Sequence, residues 1–407
     1  MGSDWYAKGF EYLGYCDQGG MPGGTQIMVH RGHAYIGKNE GVSVLDVRDP
    51  RDPKAVNFLE GDPGSWHIHL QTHDDLLLVI DEVDFYMVKP NEKDYYGGSI
   101  VGIHSSLYGV PGKDYSAGMR VYDLSDPANP RRIGYFSVPG CGLHRIWYDG
   151  GRYAYVSALI DGWIDHIFLV VDMQDPTKPV EVGRWWIPGM WRDGGEQPTW
   201  SNRVALHHAV VKGEVAYGGW RDGGLVILDV SDPTAPRELA HRNWCPPFGG
   251  GTHSCLPLLD RDLLVVTDEA VLDNCADQVK YTWVFDIRDK TNPVSISTFP
   301  TPTDRDYCSE PGHFGPHNLH ENRIGSWQSS EIIFATYQNA GVRAFDITNP
   351  YQPEETAYFV PPPPERMTER RKGRPRATHT ADVFVDAEGL TYITDYNAGV
   401  YILQYKA

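Results

Sequence analysis

The chain has 407 residues and a net charge of −18, and its Lys and Arg gather in no cluster larger than "ERRKGRPR" at 369–376. That excludes a nucleic-acid or anionic-membrane surface, which needs basic contacts to phosphate. No apolar run reaches the ~18 residues of a membrane-spanning helix.

The opening "MGSDWYAKGF" lacks the charged-then-apolar pattern of an export signal. Six cysteines (16, 141, 245, 255, 275 and 308) form no CxxC pair. They read as mostly reduced thiols, and the expected compartment is the cytoplasm.

From residue 42 onward one pattern recurs: an alternating apolar run ending in Asp, a turn, then Pro seven residues after that Asp. It runs "VSVLDVRDPRDP" (42–53), "MRVYDLSDPANP" (119–130), "FLVVDMQDPTKP" (168–179) and "LVILDVSDPTAP" (225–236). Looser copies follow at "YTWVFDIRDKTNP" (281–293) and "VRAFDITNPYQP" (342–353). Runs rich in Val, Ile, Leu and Tyr, closed by Asp-Pro turn chemistry, are strands joined by tight turns. A second strand precedes each copy, as in "LLLVIDE" (76–82), "LLVVTDE" (263–269) and "LTYITDY" (390–396). Another follows each Pro. With the strand upstream, each unit holds four antiparallel strands, the composition of a propeller blade.

The last unit, 378–407, stops one strand short, and "GFEYLGYCDQ" (9–18) reads like that missing strand. The expected fold is therefore an all-β, seven-bladed β-propeller. Residues 1–407 form a single domain, closed when the N-terminal strand completes the last blade and removes the free edge. "GVSVLDVRDP" and "GLVILDVSDP" resemble the LVIVD repeat, a propeller-forming unit of bacterial and archaeal proteins. The resemblance spans nearly the whole chain and implies architecture, without a single assigned chemistry.

Histidines recur where the innermost strands begin: "SWHIHLQ" (His67, His69), "GLHRIW" (His144), "ALHHAV" (His207, His208), "THSCLP" (His253), "GPHNLH" (His317) and "THTADV" (His379). The first unit has Gln26 instead. With 16 histidines in the chain, a three-residue window holds one about one time in nine, so six units of seven is a pattern. A histidine at a strand start can be a scaffold residue that caps a carbonyl. The repeat's Asp and Pro keep strict register, however, whereas these histidines wander. Inner strands converge on the axis, and imidazoles aimed at one point suit a transition-metal ion. The expected ligands are His67, His144, His208, His253, His317 and His379. His208 is preferred to His207 because alternation lets only one of the pair face inward. His30, His33 and His241 fall outside the strand starts.

Second strands end beside those histidines in Asp81-Glu82, Arg221-Asp222, Asp268-Glu269, Tyr337-Gln338, Asp395-Tyr396 and Lys38-Asn39. Metal-bound His usually donates its other ring N–H to a carboxylate or carbonyl. Glu82, Glu269 and Asp395, with Arg221, are the expected second-sphere or acid–base residues.

A lid-like insertion over about 83–118 and long loops at 188–203, 300–316 and 360–377 carry Tyr86, Tyr95, Tyr96, Tyr108, Trp191, Trp200 and Phe314. Long loops in compact domains are commonly lids or binding loops, and these suit an enclosed pocket for an aromatic or sugar-like small molecule.

The expected function is a metal-dependent enzyme. A neutral His shell with second-sphere Glu resembles in principle, though not in motif, the propeller non-haem iron oxygenases that cleave carotenoids. Iron and oxidative chemistry are narrowly favoured, because so few carboxylates stand at the strand starts; zinc, manganese and copper are the other candidate ions. A divalent Lewis acid with His or Tyr as base would instead serve a lyase or hydratase, and Cys141 and Cys255 lie near enough to His144 and His253 for a thiolate-containing copper or zinc site. A ligand- or protein-binding propeller without chemistry is the reading from a different class.

Overall fold

The computed structural model describes residues 5–85, 115–368 and 373–407. Most of the expected lid, with Tyr86, Tyr95, Tyr96 and Tyr108, lies outside these residues. Among the described residues the chain is almost wholly strand and turn, with one 3₁₀ turn at Leu259–Arg261.

Four-stranded antiparallel meanders repeat along the chain. The first is Ile27–His30, His33–Gly37, Gly41–Asp46 and Lys54–Glu60. A nine-stranded sheet holds two more. One begins at Ser65–Trp66 and Leu70–His73 and continues through Leu76–Val83, Gly118–Asp123 and Arg131–Ser137. The other is Gly140–Trp147, Tyr153–Ile160, Ile167–Asp172 and Val180–Trp185, and Gly142 opposite Glu82 joins the two. An eight-stranded sheet joins Val204–Lys212, Val215–Arg221, Leu225–Asp229 and Arg237–Arg242 to Thr252–Leu258, Leu263–Asp268, Thr282–Asp286 and Val294–Thr298, with Arg221 opposite Thr252. Next come Ile332–Thr336, Val342–Asp346 and Glu354–Val360. Thr380–Val385, Leu390–Asp395 and Val400–Tyr405 end the chain.

The repeat Asp does what its sequence position implies. Each of the six copies ends the third strand of its meander, and its carboxylate accepts the N–H two residues on. The pairs are Arg48 to Asp46 (3.1 Å), Ser125 to Asp123 (2.8 Å), Gln174 to Asp172 (2.9 Å), Ser231 to Asp229 (2.9 Å), Arg288 to Asp286 (3.0 Å) and Thr348 to Asp346 (2.7 Å). These Asx turns satisfy a backbone donor and fix the bend into the fourth strand. Third strands are buried nearly throughout, while fourth strands such as Lys54–Glu60 form half-exposed outer edges. Apolar faces of neighbouring sheets meet between them, as where Tyr35, Leu45, Leu77 and Leu124 share one cluster.

The N-terminal segment pairs with two sheets. Phe10–Cys16 runs antiparallel to Val400–Tyr405 and supplies the fourth strand of the last sheet. Tyr6–Lys8 was not anticipated; it edges the preceding sheet against Glu354–Val360. Gly9 makes the step between them at φ 69°, where any Cβ would meet Ala357 at 2.6 Å. The inner segment of that preceding sheet is less regular than expected. Residues 317–320 run beside Ile332–Thr336 through His317 N–H to Thr336 O (2.9 Å) and His320 N–H to Phe334 O (3.0 Å).

Cysteine usage departs from expectation in one place. Cys275 and Cys308 are joined in a disulfide, while Cys16, Cys141, Cys245 and Cys255 are free. The 33-residue separation carries no spacing signal, and the bond weakens the inference from cysteines to a reducing compartment. No described helix is long and apolar enough to cross a membrane.

Candidate functional site

Inner strands bulge where they reach the cavity. Register slips between Gly140 and Gly142, between Leu143 and Arg145, between Val204 and His208, between Thr252 and Cys255, and between Thr380 and Asp382. A bulge re-aims the side chains that follow it, so simple alternation fails here. At these positions a cavity of about 340 Å³ is lined by His69, His144, His207, His253 and His317, together with Glu269, Arg221, Lys38, Trp66, Phe58 and Tyr396.

Four of these histidines share one arrangement. His144 Nδ1 faces Glu82 Oε2 at 2.9 Å, and His207 Nδ1 donates to the His253 carbonyl at 3.2 Å. His253 Nδ1 lies 2.9 Å from Ser254 Oγ, and His317 Nδ1 donates to the Ala381 carbonyl at 2.5 Å. The carboxylate and carbonyl acceptors at His144, His207 and His317 place the proton on Nδ1 and leave Nε2 as a lone pair. The rings form a chain: centroids stand 4.8 Å apart from His144 to His207, 3.5 Å from His207 to His253 and 4.6 Å from His253 to His317. Gly219 permits the close approach, since a Cβ there would meet the His253 carbonyl oxygen at 2.7 Å. Burial holds all four rings toward the neutral form, with His144 lowered to about 4 and His207 and His253 well below their ordinary value.

His69 is the exception. Arg145 Nη1 donates to its Nδ1 at 2.9 Å, so its proton sits on Nε2 and it offers the cavity a donor.

Two glutamates flank the chain of rings. Glu269 Oε2 lies 3.5 Å from His253 Nε2 and its Oε1 3.5 Å from His317 Nε2, while Arg221 Nη1 pairs with Oε2. Burial alone would raise this carboxyl, but Arg221 and His317 outweigh it and hold it at about 2. Glu82 sits behind His144 and accepts from His166 Nε2 at 2.5 Å and from Trp66 Nε1 at 2.8 Å. It too is held at about 2 against its burial, by His166 and His144. His166 in turn donates from Nδ1 to Asp165 (2.7 Å), which Arg203 pairs at 2.8 Å. His166 has no counterpart at the same strand position in other units, so no repeat signal reveals it.

The expected residues divide accordingly. His144, His253, His317, Glu269 and Arg221 line the cavity, and Glu82 supports it from behind. His208 is displaced by His207: the bulge turns His208 away, and its Nε2 meets Glu321 at 2.9 Å beyond the cavity. His67 gives way to His69. Its ring fills the space over Gly61, and its Nδ1 binds Asp81, which Arg120 also pairs. His379 packs on Tyr396 and His313, at centroid distances of 4.3 and 5.0 Å, outside the cavity lining. Asp395 accepts the N–H groups of His379, Asn397 and Ala398 and shapes a turn.

The expected aromatic cover differs as well. Trp191 is 39% exposed, and Phe314 is buried on Tyr307. Neither they nor Trp200 line the cavity. Residues 20–25 and the 360–377 loop, through Arg366 and Thr368, form its mouth instead.

Residues 208–241 match the LVIVD repeat, a repeat type found in β-propeller proteins. No curated protein matches the chain. Among solved structures, the β-propeller domain of Myceliophteria thermophila Cps50 (Swd1) is similar at TM-score 0.57 and 12% identity, covering 95% of this chain and 98% of that one. A chain of the Mitotic Checkpoint Complex is similar at TM-score 0.55 and 9% identity, covering 92% and 86%. At such identities the likeness speaks to fold alone. The chain is thus an all-β propeller that carries the LVIVD repeat.

Proposed function

We propose that this propeller has seven blades closed by Phe10–Cys16, and that its cavity holds a transition-metal ion against the His144–His207 pair, with His253 and His317 beside Glu269 along the same wall, for chemistry on a small organic molecule. Two meanders in each of the larger sheets and one in each of the other three support that count.

One observation carries the metal reading. His144 Nε2 and His207 Nε2 stand 3.1 Å apart, while burial holds both rings toward the neutral form and their Nδ1 atoms face a carboxylate and a carbonyl. Two nitrogens so placed call for a proton or a metal cation between them. With metal–nitrogen bonds of about 2.0–2.1 Å, ligands on one ion sit about 3–3.4 Å apart. Glu269 fits the same reading as a nearby anion that offsets the ion's charge.

Iron is the favoured metal, because a neutral imidazole shell with a single carboxylate beside it suits iron and oxidative chemistry. When bound, the ion would supply redox or Lewis-acid activation. The chain's own part is to orient the imidazoles through their Nδ1 partners, to present the His69 N–H to a substrate oxygen, and to line the site with Trp66 and Tyr396. A zinc- or manganese-dependent lyase is the second reading of this site.

Elemental analysis of untagged protein, purified without chelator, tests both. Close to one equivalent of iron supports the oxidative reading, and one equivalent of zinc or manganese the lyase. Protein that arrives metal-free and cannot be reconstituted would leave the histidines as scaffold.

A further inference from the structure

Lys38 lines the same cavity but belongs to none of the arrangements above. It is 6% exposed, and its Nζ donates to the Met21 carbonyl and lies 5.8 Å from the Phe58 ring centroid. An ammonium has three N–H donors, and buried lysines are ordinarily paired. Among the described residues Lys38 has no ion-pair partner.

The other charges at the cavity are engaged or screened. Arg221 and Glu269 neutralise each other, while Glu40 and Arg366 sit exposed at the mouth, where water weakens their fields. We propose that the cavity selects a small organic monoanion, its carboxylate received by Lys38 and its planar apolar body lying against Phe58 and Trp66.

The inference rests on the reading of this cavity as a small-molecule site. A single available ammonium suits one negative charge. Burial lowers Lys38 to about 8 against the pull of Glu40, so it is charged at and below neutral pH and gains a partner when an anion enters.

Benzoate and benzamide are nearly isosteric and differ in charge, so they test the inference by calorimetric titration of the protein as purified at pH 6.5. Benzoate is expected to bind at least tenfold more tightly than benzamide. Lys38→Met should abolish that difference, and Lys38→Arg should retain most of it. Equal binding of the two compounds, no binding of benzoate, or a preference that survives in Lys38→Met would overturn the assignment. The first two outcomes need no variant and are read on the wild type. Metal content is measured on the same samples. Full metal without a benzoate preference sinks this inference alone, and a benzoate preference in metal-free protein sinks the metal reading alone.

Discussion

His207 and His208 are neighbours with opposite surroundings, and they should respond differently to the same change. His207→Ala removes a ring whose Nε2 faces the cavity, so it should cut metal content sharply with little effect on unfolding. His208→Ala leaves Glu321 without its 2.9 Å partner, beside Arg145 and Arg323. It should keep metal and cost about 1–3 kcal/mol of stability. Elemental analysis and urea unfolding on both variants decide this, and metal loss in His208→Ala alone would reverse the assignment.

Glu82→Gln tests the support behind His144. Outer-sphere partners are worth roughly 10–100-fold in metal affinity, so competition with a chelator dye should show a loss of that order. Unchanged affinity would reduce Glu82 to a packing role.

The pH dependence also belongs at this scale. His208 and His320 are both lowered by burial from 6.5 to about 4. The unfolded chain takes up these protons below about 6.5, and the folded chain does so only near 4. Stability should therefore fall as pH drops through that window. Urea midpoints at pH 7, 6 and 5 should decrease in that order, and a flat series would contradict neutral burial of these rings.

At the scale of elements, Phe10–Cys16 is the strand on which the last sheet depends. It pairs Phe10 with Tyr405 and Cys16 with Val400, and both Phe10 and Cys16 are buried. Deleting residues 1–18 would expose the Val400–Tyr405 edge and its apolar face. The melting temperature should drop strongly, and a scan unchanged by the deletion would argue against closure.

The disulfide between Cys275 and Cys308 ties two loops across 33 residues. In the chain-entropy account, a loop of that size contributes about 3–4 kcal/mol. Serine at both positions should lower the melting temperature, leaving metal content unchanged because neither sulfur lines the cavity. By contrast, each Asx turn centres on one backbone N–H to carboxylate bond, exposed in five of the six, and losing one such turn costs little.

Across the whole molecule, the five cavity histidines, from His69 to His317, come from five successive meanders. Each meander is stabilised mainly by its own pairing and by the apolar face of its neighbour. An ion held between His144 and His207 would link two neighbouring units across the cavity. Anything bound to the folded state alone stabilises it by mass action, about 2.7 kcal/mol at a hundredfold excess over Kd. Removing metal with chelator should lower the melting temperature measurably, and restoring the ion should recover it.

Most strands, their turns and the order of the meanders are legible along the chain, Tyr6–Lys8 and the irregular inner segment at 317–320 excepted. Those features rest on local physics: alternation, β-branched residues, and an Asp that closes a turn within two residues. The sequence also marked the cavity's neighbourhood, because Glu82, Arg221 and Glu269 end second strands beside inner strands rich in His. Which ring of each pair faces the cavity depends on the fold. Bulges add residues to one strand without changing its composition, so His207 and His69 replace His208 and His67 with no local sign. His166 and Lys38 were likewise decided in three dimensions. Their meaning lies in partners gained or lacking across the fold, and such partners leave no periodic trace along the chain.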